Sequence, residues 1–74
     1  MNSYRYTVII EHEEDGGYHA FCPVLKGCHA QGETIEETLE NIQEAMEIYL
    51  ESLIAHNEVI PKEDILIKPV EVAL

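Results

Sequence analysis

The chain has 74 residues, with 15 acidic side chains against 4 basic ones and a formal net charge of −11. A chain of this length makes one domain and buries only about 60% of its unfolded surface, so self-association is expected as a further source of stability. The charge argues against direct binding of nucleic acid or an anionic membrane, both of which draw on lysine and arginine, and it favours a basic partner.

Two cysteines are too few for a disulfide framework and are expected as reduced thiols in a cytoplasmic protein. The polar start at residues 1–6 lacks the apolar core of a signal peptide, and no apolar run approaches the roughly 18 residues of a membrane span.

Residues 4–13 alternate, with Tyr4, Tyr6, Val8 and Ile10 on one face and Arg5, Thr7, Ile9 and Glu11 on the other. This β-branched and aromatic pattern predicts a strand. Asp15, Gly16 and Gly17 tolerate positive φ and predict a hairpin turn. Residues 18–22 form the returning strand, and Pro23 stops its pairing because proline has no amide to donate. Residues 24–27 connect to a brief third strand at 28–31. A two-residue turn would place Ile9, Ala20 and Cys22 on the same face, whereas a three-residue turn would swap the faces of the second strand. The sequence leaves both registers open.

Residues 32–57 then predict one long amphipathic helix. Thr34 is the expected N-cap, with Glu37 reaching back to its amide in a capping box. Ile35, Leu39, Ile42, Met46, Tyr49 and Leu53 recur at steps of four and three, the spacing of a buried helical face. Glu36, Glu40, Glu44, Glu47 and Glu51 fall on the opposite side. Thr38, Asn41, Ala45 and Ser52 make a third flank of short residues that lets another backbone come close. Asn57 is the expected helix stop, with Pro61 beyond it. Residues 65–74 alternate again and predict a fourth strand, which Pro69 confines to an edge or a bulge. The expected fold is a two-layer α+β sandwich of β-β-β-α-β order, a mostly antiparallel sheet with one long helix on one face.

Catalysis finds little support. A metal-dependent nuclease needs several carboxylates converging on divalent ions, one of them in the middle of the first strand. Thr7, Val8, Ile9 and Ile10 occupy that place here, and Glu11, Glu13 and Glu14 gather at the hairpin end. Cys22 and Cys28 lie outside the close-pair spacing of structural zinc sites. His12 and His19 would face each other across a two-residue turn, and two ligands make a weak site. Cys28 and His29 are adjacent on a strand, so they point to opposite faces and do not form a nucleophile–base pair. No catalytic residue, metal ligand or cofactor is therefore expected. Four tyrosines without a basic rim fit core or interface packing better than base stacking.

The run from Tyr18 to Leu50 resembles the HicB-type antitoxin family in its short form. The resemblance rests on Gly17-Tyr18, Pro23, Gly27-Cys28, Gln31-Gly32, Glu33-Thr34, Glu36-Glu37, Leu39, Asn41 and Glu44-Ala45. The preceding hairpin and the alternating tail fit as well. The chain departs from the family pattern where Pro-Asp-Leu-Pro-Gly-Cys becomes Pro23-Val24-Leu25-Lys26-Gly27-Cys28, and where an alanine becomes Thr38. What the resemblance implies is a partial ribonuclease-H-like fold without nuclease activity. It also implies a partner, a small basic endoribonuclease of the HicA type that such domains mask. The chain is expected to be a single domain, 1–74, without the C-terminal DNA-binding domain that many members carry. From shared sign and expected exposure, the partner-binding candidates are Glu13, Glu14 and Asp15 at the hairpin tip and Glu36, Glu40, Glu44 and Glu47 on the helix. The alternatives are a structural homo-oligomer without a toxin and a metal-dependent hydrolase.

Overall fold

Three short strands feed one long helix: β1 (Ile9–His12), β2 (Tyr18–Phe21), β3 (His29–Gly32) and α1 (Ile35–Ala55). The computed structural model describes residues 3–74, so the polar start at Met1 and Asn2 lies outside it. The sheet is antiparallel with order β1-β2-β3. The α1 helix lies across β3 and β2, so the arrangement is α+β as expected.

The hairpin turn settles the register. Ile9 stands opposite Phe21 and His12 opposite Tyr18. The Glu13 amide donates to the Gly17 carbonyl at 3.1 Å, and the Gly16 amide to the Glu13 carbonyl at 3.1 Å. Three residues, Glu14, Asp15 and Gly16, therefore make the loop, with Gly16 at φ 98° and Gly17 at φ 80°. This is the turn length that swaps the faces of the second strand. Ala20 and Cys22 consequently share the core with Val8 and Ile10, while Ile9 falls on the side of Phe21 and His19. The strand predicted over 4–13 pairs only at Ile9–His12 for a simple reason. Extending the register would set Thr7 opposite Pro23, which has no amide to give.

Thr34 caps α1 as expected, its hydroxyl accepting from the Glu37 amide at 3.0 Å. The Glu37 carboxylate reaches one residue further back than a capping box requires and accepts from the Glu33 amide at 3.1 Å. At the other end Asn57 takes the left-handed conformation, φ 54°. Its amide donates to the Ile54 carbonyl at 3.1 Å and the Glu58 amide to the Leu53 carbonyl at 2.9 Å. That pair of bonds is a Schellman stop.

The buried face of α1 is rotated from the predicted stripe toward the short-residue flank. Thr38 and Ile42 are buried, and Ala45, Met46, Tyr49 and Leu50 pack partly against the core. Ile35 and Leu39 remain exposed. The cause is the close approach of the helix to the end of β3. A Cβ on Gly32 would lie 2.6 Å from Thr38 Oγ1 and 2.7 Å from the Thr38 amide nitrogen. Thr38 is sealed there, its hydroxyl satisfied by the Thr34 carbonyl at 2.7 Å. The rest of the core comes from Ala20, Cys22, Cys28 and Leu25, a loop residue that folds fully inward.

The predicted fourth strand is not formed. Residues 58–74 carry no strand, and among the described residues the sheet has three members. The tail touches the first strand's approach, where Tyr6 donates its hydroxyl to the Pro61 carbonyl and Thr7 bonds the Glu63 carboxylate. Beyond that contact it runs exposed, with Leu66 at 90% and Val70 at 81% accessibility.

Candidate partner-binding surface

The two groups of acids singled out in the sequence occupy different places. Glu14 and Asp15 are exposed at the hairpin tip, and Glu13 is half-buried where its carboxylate accepts from the Gln31 side chain at 3.1 Å. Glu36, Glu40, Glu44 and Glu47 are exposed along α1, which contains no lysine or arginine to neutralise them. A cleft of about 390 Å³ between hairpin and helix start is lined by Glu13 and Asp15 together with Glu33 and Glu37. None of Glu36, Glu40, Glu44 and Glu47 lines it.

Glu33 and Glu37 were not among the sequence-derived candidates. Their signal was the cap itself, because a cap residue places its neighbours beside the strand that leads into the helix. Gly17 sits at the back of this cleft, where a Cβ would lie 2.8 Å from the Gly32 carbonyl oxygen. Hairpin and helix start are thereby held together by two glycines that leave no room for side chains.

The sheet face turned away from α1 carries a second feature. His19, Phe21 and His29 cluster there, with ring centroids 6.1 Å apart for His19–Phe21 and 5.7 Å for His19–His29. With Pro23, Lys26 and Gly27 they line a shallow, largely apolar hollow of about 440 Å³. The three-residue turn pairs His19 with Glu11 and His12 with Tyr18, so the two histidines of the hairpin do not oppose each other. Among the described residues, no three His, Cys, Asp or Glu side chains come together as a metal site. Cys28 is buried while its neighbour His29 is exposed, as alternation requires. Burial pushes the Cys28 thiol above its ordinary range, and the nearby Cys22 adds to the effect. Such a thiol is a poor nucleophile at neutral pH.

The chain is thus a thin α+β layer with an acidic surface, a capped helix and a glycine-tightened hairpin. A family profile described as a HicB-like antitoxin of bacterial toxin–antitoxin systems matches residues 6–71. The chain belongs to that family. A UPF0150 protein of Synechocystis sp. is 61% identical over 69 residues, covering 93% of this chain and 87% of the relative. One from Thermoplasma acidophilum is 52% identical over 60 residues, covering 81% and 87%. Another, from Helicobacter pylori, is 47% identical over 68 residues, covering 90% and 93%. Among the described residues, no helix is long and apolar enough to cross a membrane.

Proposed function

We propose that this chain is a non-catalytic antitoxin that binds and masks a small basic endoribonuclease of the HicA type. It acts as a single domain in the cytoplasm, as a homodimer or higher homo-oligomer, without a cofactor and without touching nucleic acid itself. Membership of the HicB-like antitoxin family is the observation that carries this reading. The charge supports it, since a net −11 on 74 residues attracts a basic protein and repels RNA. The contact residues are Glu13, Glu14 and Asp15 at the hairpin tip and Glu36, Glu40, Glu44 and Glu47 on α1.

The test is titration calorimetry with a short basic HicA-type ribonuclease encoded beside this chain. Binding should be tight, should weaken as salt rises, and should silence RNA cleavage. The triple substitution Glu40→Lys, Glu44→Lys and Glu47→Lys should weaken it by at least about tenfold, the scale of losing several complementary charges. Unchanged affinity would remove the helix acids from the interface. Absence of binding to that ribonuclease would reject the antitoxin reading for this chain.

A further inference from the structure

We infer that two copies of this chain exchange their C-terminal tails, residues 65–74 of each adding as a fourth strand to the free edge of the other's β1. The inference deepens the self-association part of the proposed function and is independent of the toxin.

Surface area is the first argument. A compact monomer of this mass, 8.4 kDa, exposes about 4,600 Å². This chain exposes 6323 Å². The excess, roughly 1,700 Å², is about twice what each partner buries in a standard interface. The radius of gyration is 14.5 Å, against about 11 Å for a compact chain of this length. Among the described residues, half of the exposed large hydrophobic side chains lie on the tail, at Ile65, Leu66, Ile67, Val70, Val72 and Leu74, with Ile48 and Ile54 on α1 and Val59 before the tail's start exposed as well.

The receiving edge is defined by the ladder. Glu13 bonds Gly17 across the hairpin, so in this register Glu11 and Ile9 also turn their amides and carbonyls toward β2. Val8, Ile10 and His12 therefore aim theirs outward, and among the described residues no strand pairs with them. The opposite edge is less open. There the Asn41 side chain donates to the outward Gln31 carbonyl at 2.7 Å, and α1 lies overhead. The tail also leaves the body beside β1, anchored by Tyr6 to Pro61 and Thr7 to Glu63.

Charge selects the occupant. Residues 65–74 contain one base, Lys68, and one acid, Glu71, and are neutral; the whole net −11 lies in residues 1–64. The tail is thus the segment that approaches another copy with no net repulsion. One chain carries an open edge and an unpaired strand that do not meet each other, and a two-fold exchange satisfies both at once. Pro69 then fixes which of the tail's amides can face β1. Its missing amide must point outward, so Leu66, Lys68, Val70 and Val72 turn their amides toward β1.

Sedimentation equilibrium and amide exchange on the full chain test this. A concentration-dependent dimer should form, with Ile10, His12, Lys68 and Val70 amides protected in the dimer and open at high dilution. Val70→Pro removes an inward amide and should weaken dimerisation about tenfold, while Glu71→Pro removes an outward one and should change it less than about threefold. Mixing isotope-labelled and unlabelled copies should give nuclear Overhauser contacts between tail and β1 across molecules. A dimer equally indifferent to both prolines would overturn the exchange and leave self-association standing. A monomer at every concentration would overturn both. Contacts within one molecule only would show the tail folding back on its own β1 and reject exchange.

Discussion

Residues 4–13 and residues 65–74 are two stretches of one kind, each alternating, β-branched and about ten residues long. The first holds β1 and contributes Tyr6, Val8 and Ile10 to the core margin. Among the described residues the second pairs with no strand, and it leaves Leu66 90% exposed. Pro69 bars the second from the middle of a sheet but not from an edge, so what leaves it unpaired is its neighbours. The first is followed by a glycine turn that brings a partner strand back within a few residues. The second follows a 21-residue helix and a Schellman stop that set it down outside the body. Strand preference is a demand for a neighbour, and whether it is met depends on what the turn delivers.

The comparison predicts unequal responses to the same kind of substitution. Ile42→Ala, on a side chain that is 1% exposed, should destabilise the fold by about 2–5 kcal/mol through lost burial and the cavity left behind. Leu66→Ala, measured in dilute solution, should change unfolding free energy by less than about 0.5 kcal/mol. Urea melts of both variants at low protein concentration check this. A comparable loss at Leu66 would mean that the tail packs on its own body, and the contrast between the two stretches would disappear.

The next effect concerns the join between hairpin and helix. Gly32→Ala places a methyl 2.7 Å from the Thr38 amide nitrogen, a backbone atom that moves only with the helix. A loss of about 1–3 kcal/mol is expected, the range for overpacking a tight site. Because the clash is with backbone, pairing it with Thr38→Ala should recover only part of the loss. Full recovery in the double variant would place the whole conflict on the threonine side chain.

Much of this was readable beforehand, and the misreadings have physical causes. Thr34 and Asn57 marked the helix ends because capping is local chemistry, decided within four residues. The rotation of the buried face was not readable from periodicity. Ile35 and Leu39 fit an apolar stripe, but the contact was decided by Gly32, whose missing side chain draws the Thr38 flank inward. Leu25 looked like a connector and is fully buried, since the loop closes through Cys28 to Leu25 at 3.0 Å and turns it inward. The strand faces hung on one residue of turn length, which no pattern in either strand reveals. Of the candidate surface, Glu14, Asp15 and the helix acids were legible as exposed, whereas the half-burial of Glu13 and the cleft joining it and Asp15 to Glu33 and Glu37 needed the fold.

A smaller loss than at Gly32 tests the contact that holds the start of the tail beside the first stretch. The Tyr6 hydroxyl donates to the Pro61 carbonyl, and burial, more than the nearby Cys22, Tyr4 and Glu63, raises its pKa above the ordinary value. Tyr6→Phe deletes the donor and should cost about 0.5–1.5 kcal/mol at neutral pH, the net worth of one hydrogen bond. The sign with pH follows from the raised value. Below the phenol's ordinary range both folded and unfolded chains keep the proton, and the contact's full contribution is present. Above it the unfolded chain ionises first, so stability drains away as pH climbs toward the folded value. Chemical melts of wild type and Tyr6→Phe between pH 7 and pH 11 should therefore converge as the solution becomes alkaline, with most of the gap closing above about pH 10. Curves that stay parallel would mean that the phenol proton takes no part in holding Pro61, and that the tail's departure beside β1 is set by Thr7 and Glu63 alone.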